Sequence, residues 1–144
     1  MALLQADITH PDYGFTIVDA KGHTMRMDIP VEQGGHGEGF RPMQTLLAGL
    51  MGCSGIDVIN ILKKQKQHLK SFSIKVDGER QKSVEPSLWE TIHLQFIING
   101  DVEPAKAVRA VQLSMEKYCS VAETLRRAGA EIKWDVMVNE TIVT

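Results

Sequence analysis

Cysteine is scarce in this chain: Cys53 and Cys119 are the only two in 144 residues. Two thiols cannot make a four-thiolate zinc site. The histidines (His10, His23, His36, His68, His93) are scattered and form no HxxxH or HxH pair. No metal is expected. Neither GxGxxG nor GxxxxGK[ST] occurs, so no nucleotide or other cofactor is expected either. An excess of charge of one sign is also lacking: 16 Lys+Arg against 18 Asp+Glu leave a net charge of −2. That balance offers no basic surface to nucleic acid or an anionic membrane. No apolar run approaches the roughly 20 residues of a membrane span. Residues 1–11 show no basic stretch followed by an apolar core, so no signal peptide is expected. The expectation is a cytoplasmic protein. In that reducing compartment a cysteine pair is redox-active more often than structural.

What is present suits a soluble globular chain, with 43% apolar and 24% charged residues. Its length predicts a single domain, 1–144. Alternation predicts strands over 3–8, 13–18 and 23–29, with a turn at Asp19-Ala20-Lys21-Gly22. The glycine-rich stretch from Gly34 to Gly39 reads as a mobile loop. Pro42 then suits the first turn of a helix. Helical spacing of Leu46, Leu47, Leu50, Met51, Val58, Ile59 and Leu62 predicts a buried helix from Pro42 to about His68. At 1.5 Å per residue it would be on the order of 40 Å long, which suggests that it extends into a partner subunit. Strands follow over 72–79 and 89–98, then a helix from Pro104 to Tyr118. A further helix over 120–128 stops at Gly129, and a strand over 131–138 closes the pattern. The order βββ-α-ββ-αα-β is an α+β arrangement.

Both cysteines fall in helical patterns far apart in sequence. A lone buried cysteine often serves only as a small hydrophobe. Around Cys53, however, Gly52, Ser54 and Gly55 clear space, and Asp57 lies one turn away. Cys119 precedes Ser120, a plausible N-cap, with Glu123 placed to complete a capping box. A thiol at a helix N-terminus has its thiolate favoured by the helix dipole. If the fold brings the pair together, the chain can run thiol peroxidase chemistry. One thiolate attacks a hydroperoxide and becomes a sulfenic acid, and the second thiol condenses with it to a disulfide. A dithiol then resets the pair by exchange. Such a thiolate needs a cation nearby. Arg41, just ahead of Pro42, is the nearest arginine in sequence, and Glu38 in the loop could pair with it. Arg26 and Arg80 are further options, although exposed charges are usually just solvated. Two other readings stay open: a non-catalytic dimer holding an apolar small molecule, and a redox sensor whose disulfide changes a partner interaction.

The stretch Arg41-Pro42-Met43-Gln44-Thr45-Leu46-Leu47-Ala48-Gly49-Leu50-Met51-Gly52-Cys53-Ser54-Gly55-Ile56-Asp57-Val58 resembles a Pro-x-x-Leu-Leu-x-x-x-x-x-Cys helix. That helix is characteristic of the OsmC/Ohr superfamily of osmotically inducible and organic-hydroperoxide-resistance proteins. Lys117-Tyr118-Cys119-Ser120-Val121 matches the family's second cysteine segment. The resemblance implies an intertwined homodimer, with two β-sheets around long central helices. It implies that Cys53 is the peroxidatic cysteine and Cys119 the resolving one. It further implies an organic hydroperoxide substrate and a dithiol reductant, including lipoylated proteins. Well-characterised members carry a glutamate directly after the helix proline, which assists an arginine beside the thiolate. Here that position is Met43, so the chain resembles a divergent branch. The family arginine matches Arg26 or Arg41 only loosely.

Overall fold

Alternating apolar residues near the start of the chain build a three-stranded antiparallel sheet. In the computed structural model, which describes residues 2–143, its strands are β1 (Leu4–Ile8), β2 (Phe15–Asp19) and β3 (Thr24–Met27), in the order β1-β2-β3. The predicted turn after β2 forms because the Asp19 carboxylate accepts the N–H groups of Lys21 and His23, each at 2.9 Å. This sheet belongs to the first of two compact units, residues 1–48; the second comprises residues 49–144.

The glycine-rich stretch is not the loose loop its composition suggests. The buried Asp28 carboxylate accepts N–H groups from Ile29 (2.7 Å), His36 (3.2 Å) and Glu38 (3.2 Å). Gly35 is packed so closely that an added Cβ would lie 2.2 Å from the carbonyl oxygen of Ile29. Phe40 then bonds back to β3: its N–H donates to Arg26 O, and its carbonyl accepts from Asp28 N–H, both at 3.0 Å.

Helix α1 (Pro42–Lys64) starts in the first unit and continues into the second. At its start the Gln44 side chain accepts the N–H of Arg41 at 3.1 Å, half of a capping box. Contrary to the expectation that no apolar run is long enough, its length and composition would suffice to cross a membrane. It is instead a core helix, with Leu50, Ser54, Val58 and Leu62 buried. The helix ends four residues before the expected His68. Lys66 adopts φ 59°, and the N–H of Gln67 reaches back to Leu62 O at 2.9 Å, closing the last turn. His68 therefore begins a strand.

In the second unit β4 (His68–Arg80) pairs antiparallel with β5 (Trp89–Asp101). Strand β5 pairs parallel with β6 (Glu131–Val138), and β6 antiparallel with the short, unforeseen β7 (Thr141–Ile142). A parallel pair needs a crossover. Helices α2 (Pro104–Leu113) and α3 (Ser120–Arg127) supply it, and both pack on β6. Ile92, Leu94, Phe96 and Ile98 present one buried face of β5, as the period-2 pattern predicts. Gly55 lets α1 lie close to β4: a Cβ there would meet Ile74 Cδ1 at 3.1 Å. The result is the expected α+β fold, with two sheets and a long apolar helix.

Candidate functional site

The helix predicted over 104–118 changes character at Ser114. Residues Ser114–Tyr118 form a π-helical segment, in which the N–H of Cys119 donates to Ser114 O at 2.8 Å. The wider turn carries an extra residue, and such segments recur at functional sites. Arg126 donates to the carbonyl of Met115. At Cys119 the backbone becomes extended (φ −74°, ψ 104°), and α3 begins at the next residue.

This geometry corrects the expected capping. Cys119, not Ser120, is the N-cap of α3, and its Sγ accepts the N–H of Ala122 at 3.4 Å. Glu123 bonds Arg127 Nε at 3.1 Å instead of completing a capping box. Ser120 is left to turn its hydroxyl towards Cys53 Sγ, at 3.8 Å. Both cysteines are free; Cys53 is half-buried and Cys119 buried. Their sulfurs and a carboxylate oxygen of Asp57 all lie within 4.8 Å of one another.

The two thiols differ in acidity, in the opposite sense to their positions in sequence. Burial alone would raise Cys53. The N–H of Val121, the Cys119 thiol, and the hydroxyl and N–H of Ser120 outweigh it and hold Cys53 below the ordinary thiol range. The first turn of α3 thus favours a thiolate on Cys53. Cys119 is pushed up to about 11, first by burial, against the Ala122 N–H, and further by the bond and charge it shares with Cys53. Cys53 is thus the thiol that ionises more readily and Cys119 the one held protonated.

Asp57 stands one helical turn beyond Cys53. Ser114, fully buried on the π segment, donates to Asp57 Oδ2 at 3.0 Å and lies 3.3 Å from the carbonyl of Ser54. Asp57 also lines a cavity of about 400 Å³ with Asn60, Ile61, Lys64, Leu113 and Tyr118. Two sulfurs and one carboxylate fall short of the four donors that close a structural zinc site, and Ser114 already engages an oxygen of that carboxylate. Nothing in the sequence pattern singled out Ser114; its role follows from the π turn.

Arg26, Glu38 and Arg41 lie in the first unit. Glu38 pairs with Arg26 Nη2 at 3.0 Å and with His10 Nε2 at 3.1 Å, not with Arg41 as expected. The His10 and Arg26 bonds hold its carboxyl below the usual range. Buried Arg26 Nε has no hydrogen-bond partner among the described residues. Arg41 heads α1, its N–H taken by Gln44. Arg80, in the second unit, donates to Ser87 O at 2.8 Å and lies 5.6 Å over the Trp89 ring.

The family model described as OsmC-like protein matches residues 35–135. The chain belongs to the OsmC-like family. Protein YhfA of Escherichia coli (strain K12) is 41% identical over 111 residues, 76% of this chain and 78% of that protein. A solved structure from Aquifex aeolicus VF5, described as a hypothetical protein, is 30% identical with a TM-score of 0.77. The match covers 95% of this chain and 96% of that one. A Legionella pneumophila protein described as an organic hydroperoxide resistance protein OsmC and predicted redox protein has a TM-score of 0.72. It is 21% identical, with 96% of this chain and 97% of that one covered, and the likeness carries the OsmC-like fold alone.

Proposed function

We propose that this OsmC-like chain is a thiol-dependent peroxidase for organic hydroperoxides. The observation that carries the reading is the meeting of two free sulfurs, from positions 53 and 119, within 4.8 Å. Cys53 is the attacker. Its thiolate takes the terminal oxygen of the hydroperoxide and becomes a sulfenic acid, while the O–O bond breaks and the alkoxide leaves as an alcohol after protonation. Cys119 is the resolver. Its sulfur displaces the sulfenic oxygen, which leaves as water, and a Cys53–Cys119 disulfide forms. A dithiol, lipoylated proteins included, returns both thiols by exchange. The thiolate also needs a cation, the role expected of Arg26 or Arg41. The Legionella pneumophila relative, an organic hydroperoxide resistance protein by its description, supports the substrate class. A cytoplasmic setting and a homodimer belong to the same reading. In support of the dimer, Ile56 on the apolar α1 is 62% exposed, and Gly52 has open space above it.

The test uses reduced protein and one equivalent of tert-butyl hydroperoxide. Wild type should lose both thiols per chain, and Cys53→Ser should keep its single thiol. Cys119→Ser should lose one thiol and over-oxidise with excess reagent. Wild type that keeps both thiols would overturn the reading.

A further inference from the structure

We infer that Asp57 is the proton acceptor for Cys119 when that thiol closes the disulfide with Cys53. The inference rests on the roles just proposed for the two cysteines. Closing the disulfide makes Cys119 a nucleophile, so its S–H bond must break, yet Cys119 is buried and pushed up to about 11. At neutral pH such a thiol needs a base within reach.

Among the described residues, Asp57 is the carboxylate grouped with the two sulfurs, at 4.8 Å or less. Rotation of the carboxylate or one bridging water spans that gap. Ser120, the other polar side chain at the thiols, offers a hydroxyl, which is no base at neutral pH. The carboxylate is oriented for the task. Ser114 holds Oδ2 from the π turn that immediately precedes Cys119. One element thus positions both the thiol that loses the proton and the group that takes it. Asp57 also faces the cavity shared with Lys64 and Tyr118, which gives the proton an exit.

The step balances for any leaving group X on the Cys53 sulfur. The Cys119 sulfur attacks, the S–X bond breaks and X leaves with its electron pair. The Cys119 proton passes to Asp57, and from there to the leaving oxygen of a sulfenic acid or to solvent.

Ellman's reagent supplies X without any peroxide. Cys53 should react first and release one thionitrobenzoate, and attack by Cys119 should release a second in a slower phase. Asp57→Asn preserves the shape and an oxygen for Ser114. It should slow the second phase about 10²-fold near pH 7.5, with the first phase changed less than about threefold. In a jump to alkaline pH the Asn variant should approach the wild-type rate, because Cys119, raised chiefly by burial, then ionises unaided. Asp57→Glu should restore much of the second phase at neutral pH. An unchanged second phase in Asp57→Asn, or a slow one that high pH does not rescue, overturns the inference. So does a wild type that releases only one equivalent, which removes the resolving role as well. Completion of both phases with the expected Asn defect, but no reaction with hydroperoxide, upholds the proton role and removes the peroxidase reading.

Discussion

Asp28 and Cys53 both gather main-chain N–H groups, and the difference between them separates a structural anion from a reactive one. Asp28 collects N–H groups from Ile29, His36 and Glu38, all in its own loop. Burial resists its ionisation, the N–H bonds overcome that, and the carboxyl stays below its usual range. The result is a pinned loop. Cys53 draws on the N–H groups of Ser120 and Val121, a whole crossover away in sequence, and on a second thiol. Its stabilised state is a thiolate beside the group that can trap its oxidised form. Local donors make an anchor, whereas donors brought from another element make an anion that chemistry can use.

The comparison is broken most severely on the anchored side. Gly35→Ala places a Cβ against Ile29 O and Ile29 Cγ1, at 2.2 and 2.5 Å, where neither can yield cheaply. It should cost about 2–3 kcal/mol in urea unfolding. On the thiol side, Ser114→Ala removes a fully buried hydroxyl that serves Asp57. A loss of about 1–2 kcal/mol by the same measurement is expected.

Smaller effects sharpen the comparison. Ser120→Ala deletes one of the donors that favour the Cys53 thiolate. The Cys53 pKa should rise, and its alkylation by iodoacetamide at pH 7 should slow a few-fold. The smallest effect concerns the His36–Asp12 pair beside the anchored loop, at 2.8 Å. The bond to Asp12 raises His36, and the bond to His36 lowers Asp12. The pair's contribution is therefore lost as pH rises through the raised His36 value, and lost again as pH falls through the lowered Asp12 value. Asp12→Asn should bring the His36 titration, followed by imidazole NMR, back towards about 6.5.

Much of this was legible in the sequence where burial is periodic. Ile132, Trp134, Val136 and Val138 mark β6 at its observed bounds, and Pro42 marks the start of α1. The end of α1 was hidden because Lys63 to Gln67 suit a helix, and the residue that stops it, Lys66, is not a glycine. The π turn was hidden for a different reason. Nothing in Ser114–Tyr118 demands it locally; Ser114 bonds to Asp57 and the carbonyl of Ser54 on α1, residues nearly sixty positions away.

At the site, the sequence offered both sulfurs and the start of α3, but assigned the helix N-terminus to the wrong thiol. Cys119 does sit there, yet as a cap its sulfur is buried, and the N–H groups of Ser120 and Val121 turn to Cys53. Glu38 has a different partner from the one expected. Phe40 pairs with β3 and returns the loop alongside Arg26, a tertiary fact that proximity in sequence to Arg41 could not convey.

The central claim is that Cys53 and Cys119 form one redox pair with divided roles. Peptide mass analysis of reduced protein, after one equivalent of tert-butyl hydroperoxide, tests it most directly. A Cys53–Cys119 disulfide is expected in wild type and, in Cys119→Ser, an oxidised Cys53. Two free thiols in wild type after that treatment would contradict it.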